Sequence, residues 1–149
     1  MKYLKWVVFL VLFISLMKYL YHSDKKKGKI EDKYMANGLF IKGEVLEVKK
    51  SKNHVFGILL LKVNSLNTGK FIDTPLNKSI YPYKIKNGEA EIYVPIPYGI
   101  QKGDKVIIDS DKKIAHYHFV SKNKQDEGNL EIVTEPHDLI YVKNNTTFK

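Results

Sequence analysis

The chain has 149 residues, no cysteine, 25 basic residues that are all lysine, 16 carboxylates and a formal net charge of +9. Without cysteine there are no disulfides, no thiol catalysis and no lipid attachment through an N-terminal Cys. Without arginine there is no planar fork to read base edges and clamp phosphates, so specific nucleic-acid recognition is disfavoured. The charge is also unevenly placed: residues 1–33 hold eight lysines against Asp24, Glu31 and Asp32, more than half of the excess.

Trp6 to Met17 is a run of twelve residues without a charge, with Lys5 and Lys18 on its flanks. At the helical rise of about 1.5 Å the run covers roughly 18 Å, whereas Tyr3 to Tyr21 reaches roughly 28 Å, near the ~30 Å hydrocarbon thickness. Residues 1–22 are therefore read as a single-pass transmembrane helix, with residues 3–21 against membrane lipid. Lys5 and Lys18 would snorkel, and Tyr3, Trp6, Tyr19 and Tyr21 would lie in the interfacial belts. A cleaved signal peptide and a buried helix are the alternatives, but after Met17 the chain runs Lys18-Tyr-Leu-Tyr-His-Ser-Asp-Lys25, with large residues where small ones should precede a cut. Lysines beyond the segment favour a cytoplasmic domain. The export-signal layout favours the opposite side, and the reading leans slightly towards it.

Residues 23–37 are polar and lysine-rich, without apolar periodicity, and read as a tether; residues 38–143 read as one β domain and residues 144–149 as a flexible tail. Phe40–Val48 alternates imperfectly, which a bulge between Gly43 and Leu46 would reconcile. Val55–Val63 is apolar on both parities, as a central strand covered on both sides would be. Asn64–Pro82 is rich in turn formers and is the least assignable stretch. Tyr83–Val94 carries the clearest local signal, because Asn87-Gly88 tolerates positive φ at both centres of a tight hairpin turn. A second hairpin is expected around Ser110-Asp111-Lys112, a turn at Asp126-Glu127-Gly128, and further strands over Leu130–Val133 and Leu139–Val142.

Six or seven short strands with regular turns predict a mainly β protein: a small antiparallel β-barrel, OB-like, or a β-sandwich, behind the N-terminal transmembrane helix. Tyr81-Pro-Tyr-Lys-Ile-Lys-Asn-Gly, followed by Ile100-Gln-Lys-Gly-Asp-Lys-Val, resembles uncharacterised small bacterial single-pass membrane-anchored proteins with an OB-like β domain. The resemblance covers mainly residues 80–109 and the overall layout. It implies an architecture and a membrane location, and assigns no catalytic residue.

His116 and His118 lie two apart on an expected strand, so both project from one face roughly 7 Å apart, within reach of one metal ion. A third ligand would have to come from His54, Glu135, His137 or Asp138. The plainer reading sets both histidines towards water while Ala115, Tyr117 and Phe119 face the core. Tyr83, Tyr93 and Tyr98 are the candidate binding residues, since aromatic rings on a sheet face stack sugars or bases. Tyr93 opposes Ile92 and Val94 in parity and is expected to point away from the core. Glu44/Glu47 and Glu89/Glu91 read as ordinary solvent-facing charges, and the glycines are too scattered for a phosphate loop. No cofactor is implied. The expectation is a non-enzymatic envelope binding module with a protein or glycan partner. The alternatives are an OB-like oligonucleotide or oligosaccharide binder and a metal-dependent enzyme using His116 and His118.

Overall fold

The computed structural model describes residues 2–52, 55–69, 73 and 76–148, and of residues 2–5, 7, 23, 24, 26, 27 and 30 only the backbone. The chain divides into two compact units, Met1–Tyr34 and Met35–Lys149.

The first unit is built on α1 (Lys2–Met35). The segment expected to be an irregular tether is helical as well, since its lysines and Glu31 have unbranched stems that lose little freedom in a helix. The expected transmembrane helix over residues 1–22 is not upheld: among the described residues no helix is long and apolar enough to cross a membrane. The uncharged run stops at Lys18, and the helix continues into a lysine-rich segment instead of ending near residue 22.

Among the described residues the second unit contains seven strands: β1 (Phe40–Lys50), β2 (Phe56–Asn67), β3 (Tyr83–Lys86), β4 (Glu89–Pro95), β5 (Lys105–Asp109), β6 (Ile114–Phe119) and β7 (Lys124–Asn129). They form one antiparallel sheet in the order β3-β4-β2-β1-β5-β6-β7. The sheet is open, with β3 and β7 at its edges, which corrects the expected small OB-like barrel and the sandwich. The two ends nonetheless approach each other. Ile80, just before β3, and Val133, beyond β7, exchange backbone hydrogen bonds of 3.1 and 3.0 Å in an isolated bridge.

Local sequence explains the curl. The β1–β2 register shifts at Lys42/Gly43 and again at Val45/Glu47, and such irregularities bend a strand and increase its twist. The concave face gathers Ile41 and Val45 from β1, Leu59 and Leu61 from β2, Ile92 and Val94 from β4 and Val106 and Ile108 from β5 into the main core. Ala115, Tyr117 and Phe119 of β6 complete it. Asn87 and Gly88 have φ of 53° and 79°, which makes the tight β3–β4 reversal. Between β6 and β7 the reversal falls earlier than expected, at one turn of tight helix (Val120–Lys122) ending in Asn123 at φ 47°. Asp126-Glu127-Gly128 is consequently strand. Tyr117 covers the gap that Gly128 leaves: a Cβ there would lie 3.2 Å from its ring.

A second cluster lies on the opposite face of β2 and β4, where Phe56, Ile58 and Tyr93 meet Val133 and Val142. Its cover is α2 (Pro136–Asn145), in the region where a strand over Leu139–Val142 was expected. Pro136 stands in the first turn, where a missing amide hydrogen costs nothing, and Asp138 and Lys143 complement the two helix ends. β2 is therefore apolar on both parities because it is covered on both faces.

Candidate binding face

Beyond α2, the outer face of β1, β5, β6 and β7 is an open groove of about 610 Å³. Register fixes what it presents. Lys42 pairs with Ile107, Ile107 with His116 and His116 with Glu127, so these four residues form one row across the sheet. Lys105, His118 and Gln125 make the next row, and Phe40 with Asp109 lies on the other side. Period-two alternation puts the core residues of these strands on the reverse face.

The groove is electrically balanced, since Lys42, Lys105 and Lys112 stand against Asp109, Asp126 and Glu127. His116 Nδ1 lies 3.0 Å from Glu127 Oε1, and Lys112 Nζ lies 3.0 Å from Asp109 Oδ2. Burial pushes the Asp109 carboxyl up, but its hydrogen bonds and ion pair with Lys112 outweigh that and hold it below the usual range. Lys42 Nζ sits 5.4 Å from the centre of the Phe40 ring. The groove thus alternates donors and acceptors around two apolar patches, Phe40 and Ile107.

The histidines are where alternation places them: His116 and His118 share this outer face, both half-buried. Among the described residues no three His, Cys, Asp or Glu side chains come close enough to hold a metal ion. His54 lies outside the described residues.

The three candidate tyrosines do not form a common surface. Tyr83 is buried in the main core beside Tyr81, ring centres 5.7 Å apart, and its hydroxyl accepts a 2.8 Å hydrogen bond from Asn37. Burial pushes that hydroxyl up to about 12. Tyr93 points to the opposite face, as its parity implied, but α2 and the second cluster cover it, and its hydroxyl donates to Glu91 Oε2 at 3.0 Å. Burial, then the Glu91 charge, raise its pKa further. Tyr98 is 97% exposed, at the turn before Gly99.

Glu91, expected to face solvent, is fully buried. Besides Tyr93, it accepts hydrogen bonds of 2.6 Å from the Thr146 hydroxyl and 2.6 Å from the Thr147 amide. The end of the chain, expected to be flexible, is therefore held from Thr146 to Phe148, with Phe148 itself buried. Parity alone puts Glu91 on the outer face with Tyr93. What sequence reasoning missed is the cover over that face, because Leu139–Val142, the centre of α2, has the pattern of a strand.

Protein-family models, curated protein sequences and solved structures were compared with the chain, and none matches.

Proposed function

We propose that the β domain is a non-enzymatic binding module that takes a neutral, hydroxyl-rich ligand, a glycan, along the outer groove of β1, β5, β6 and β7. The observation that carries this reading is the balance of the lining: three lysines against three carboxylates, with amide, imidazole and hydroxyl groups between them. A nucleic acid or acidic peptide would call for a surplus of positive charge, whereas sugar hydroxyls pair with donors and acceptors alike. Phe40 supplies an apolar face of the kind sugar rings stack against. Titrating the chain with soluble cellulose and chitin oligosaccharides is expected to show binding that changes little with salt. Phe40→Ala is expected to weaken it about tenfold, the equivalent of ~1.4 kcal/mol. No binding to either series, or binding indifferent to Phe40→Ala, would reject the reading.

A separate observation supports a lipid surface as partner of the first unit. Trp6, Phe9 and Leu12 are 72, 63 and 64% exposed, and the large side chains from Val8 to Met17 are exposed on every side of α1. A helix apolar all round is not built to face water. Exposed Lys18, Lys25, Lys29 and Lys33 follow on the same helix and suit anionic headgroups. The full chain is expected to float with phosphatidylglycerol vesicles and less with phosphatidylcholine vesicles. Failure to float with either would sink this part of the proposal.

A further inference from the structure

Residues 145–148 are held on the outer face by side chains of three strands, β1, β4 and β3, which between them contact each of the four residues. Lys49 of β1 donates to the Asn145 carbonyl at 3.0 Å and to the Thr147 hydroxyl at 2.8 Å. Glu91 of β4 takes the Thr146 hydroxyl and the Thr147 amide. Lys84 of β3 donates to the Phe148 carbonyl at 2.8 Å, and the Phe148 side chain is buried. A cavity of about 280 Å³, lined by Tyr81, Tyr83, Lys84, Tyr93 and Thr146, adjoins the crossing.

Glu91 is an expensive way to fasten residues 146 and 147. A fully buried carboxylate costs several kcal/mol unless it is hydrogen-bonded, and an apolar residue would cap the sheet more cheaply. With the segment gone, only the Tyr93 hydroxyl remains among the donors seen on Glu91. The vacated carboxylate therefore favours a replacement that brings both a hydroxyl and a backbone amide. We infer that the outer face at Lys49, Lys84, Glu91 and Tyr93 is a recognition site for an extended peptide of the form Thr-Thr-aromatic, filled in cis by residues 146–148. This site is separate from the glycan groove: the two share β1, but the groove takes Phe40 and Lys42 at its start and the peptide site takes Lys49 near its end.

The test uses the full chain and a fluorescent peptide with the sequence of residues 144–148. Thr146→Val together with Phe148→Ser weakens the cis segment and leaves the groove intact, so the peptide is expected to bind this variant at least tenfold more tightly than the unaltered chain. Adding Glu91→Gln is expected to abolish the gain. A natively folded double variant that does not bind the peptide, or binding that ignores Glu91→Gln, overturns the inference. Should these variants fail to fold, amide exchange in the unaltered chain decides. Exchange at Thr147 faster than at Ile92 shows a strap that opens by itself. Exchange at both only through global unfolding shows a fixed cap and overturns it.

Discussion

Gly57→Ala is expected to lower stability by about 3 kcal/mol, seen as a fall in the denaturant midpoint at unchanged slope. Gly57 lies in β2 between Lys50 of β1 and Val94 of β4, so neither neighbouring backbone can retreat without breaking a ladder. A Cβ there would collide with the Lys49 carbonyl oxygen and stand 2.7 Å from Ile96 Cγ1. The Ile96 side chain can turn aside, but the carbonyl is backbone. Gly43→Ala, which also meets a backbone oxygen but at 2.8 Å, gives the graded comparison and should cost less. A Gly57→Ala chain as stable as the original would show that the β1–β2–β4 ladders yield more easily than their geometry implies.

Glu91→Ala is expected to cost about 2–4 kcal/mol, because it strips the acceptor from three donors at once. The loss has a ceiling. Once the carboxylate is gone, residues 146–148 can leave and hydrate their own hydroxyl and amide groups, so only the Tyr93 hydroxyl remains buried beside the truncated side chain. The Thr147 amide is accordingly expected to exchange with solvent far faster in the variant, while amides of β5 and β6 keep their protection. Loss of protection throughout the sheet would mean that Glu91 supports the whole unit rather than the crossing segment.

What could be read from the residues divides along the reach of the interactions. Asn87-Gly88 announced its turn because the requirement for positive φ is local, and the broken alternation after Gly43 announced the irregularity in β1 for the same reason. The strand order was not legible, since nothing in a single strand says whether the sheet's ends join or merely approach. Leu139–Val142 misled because four apolar residues do not distinguish a strand from one side of a short helix, and Pro136 could mark the end of one or the start of the other. That error removed the cover from β4 and so left Glu91 and Tyr93 looking exposed. The binding face was legible in part: alternation set His116 and His118 on one side, but Phe40 and Lys42 join them only through the pairing of β1 with β5, strands distant in sequence, and Glu127 only because the β6–β7 reversal falls earlier than its residues suggest. The helix offered the opposite lesson. Its apolar run suggested a span, while the charges that cut it short at both ends were equally visible.

The strand order carries a consequence for how the chain reaches this state. Four of the six ladders, β1–β2, β3–β4, β5–β6 and β6–β7, join strands that are consecutive along the chain. Only β2–β4 and β1–β5 require distant segments to meet, and both fall on the two outer sides of the β1–β2 hairpin. Three short-range pieces can thus form on their own timescales, and the entropy of long loop closure is concentrated in the two docking steps that attach them to the central pair. The isolated Ile80–Val133 bridge depends on both steps, so it reports completion of folding.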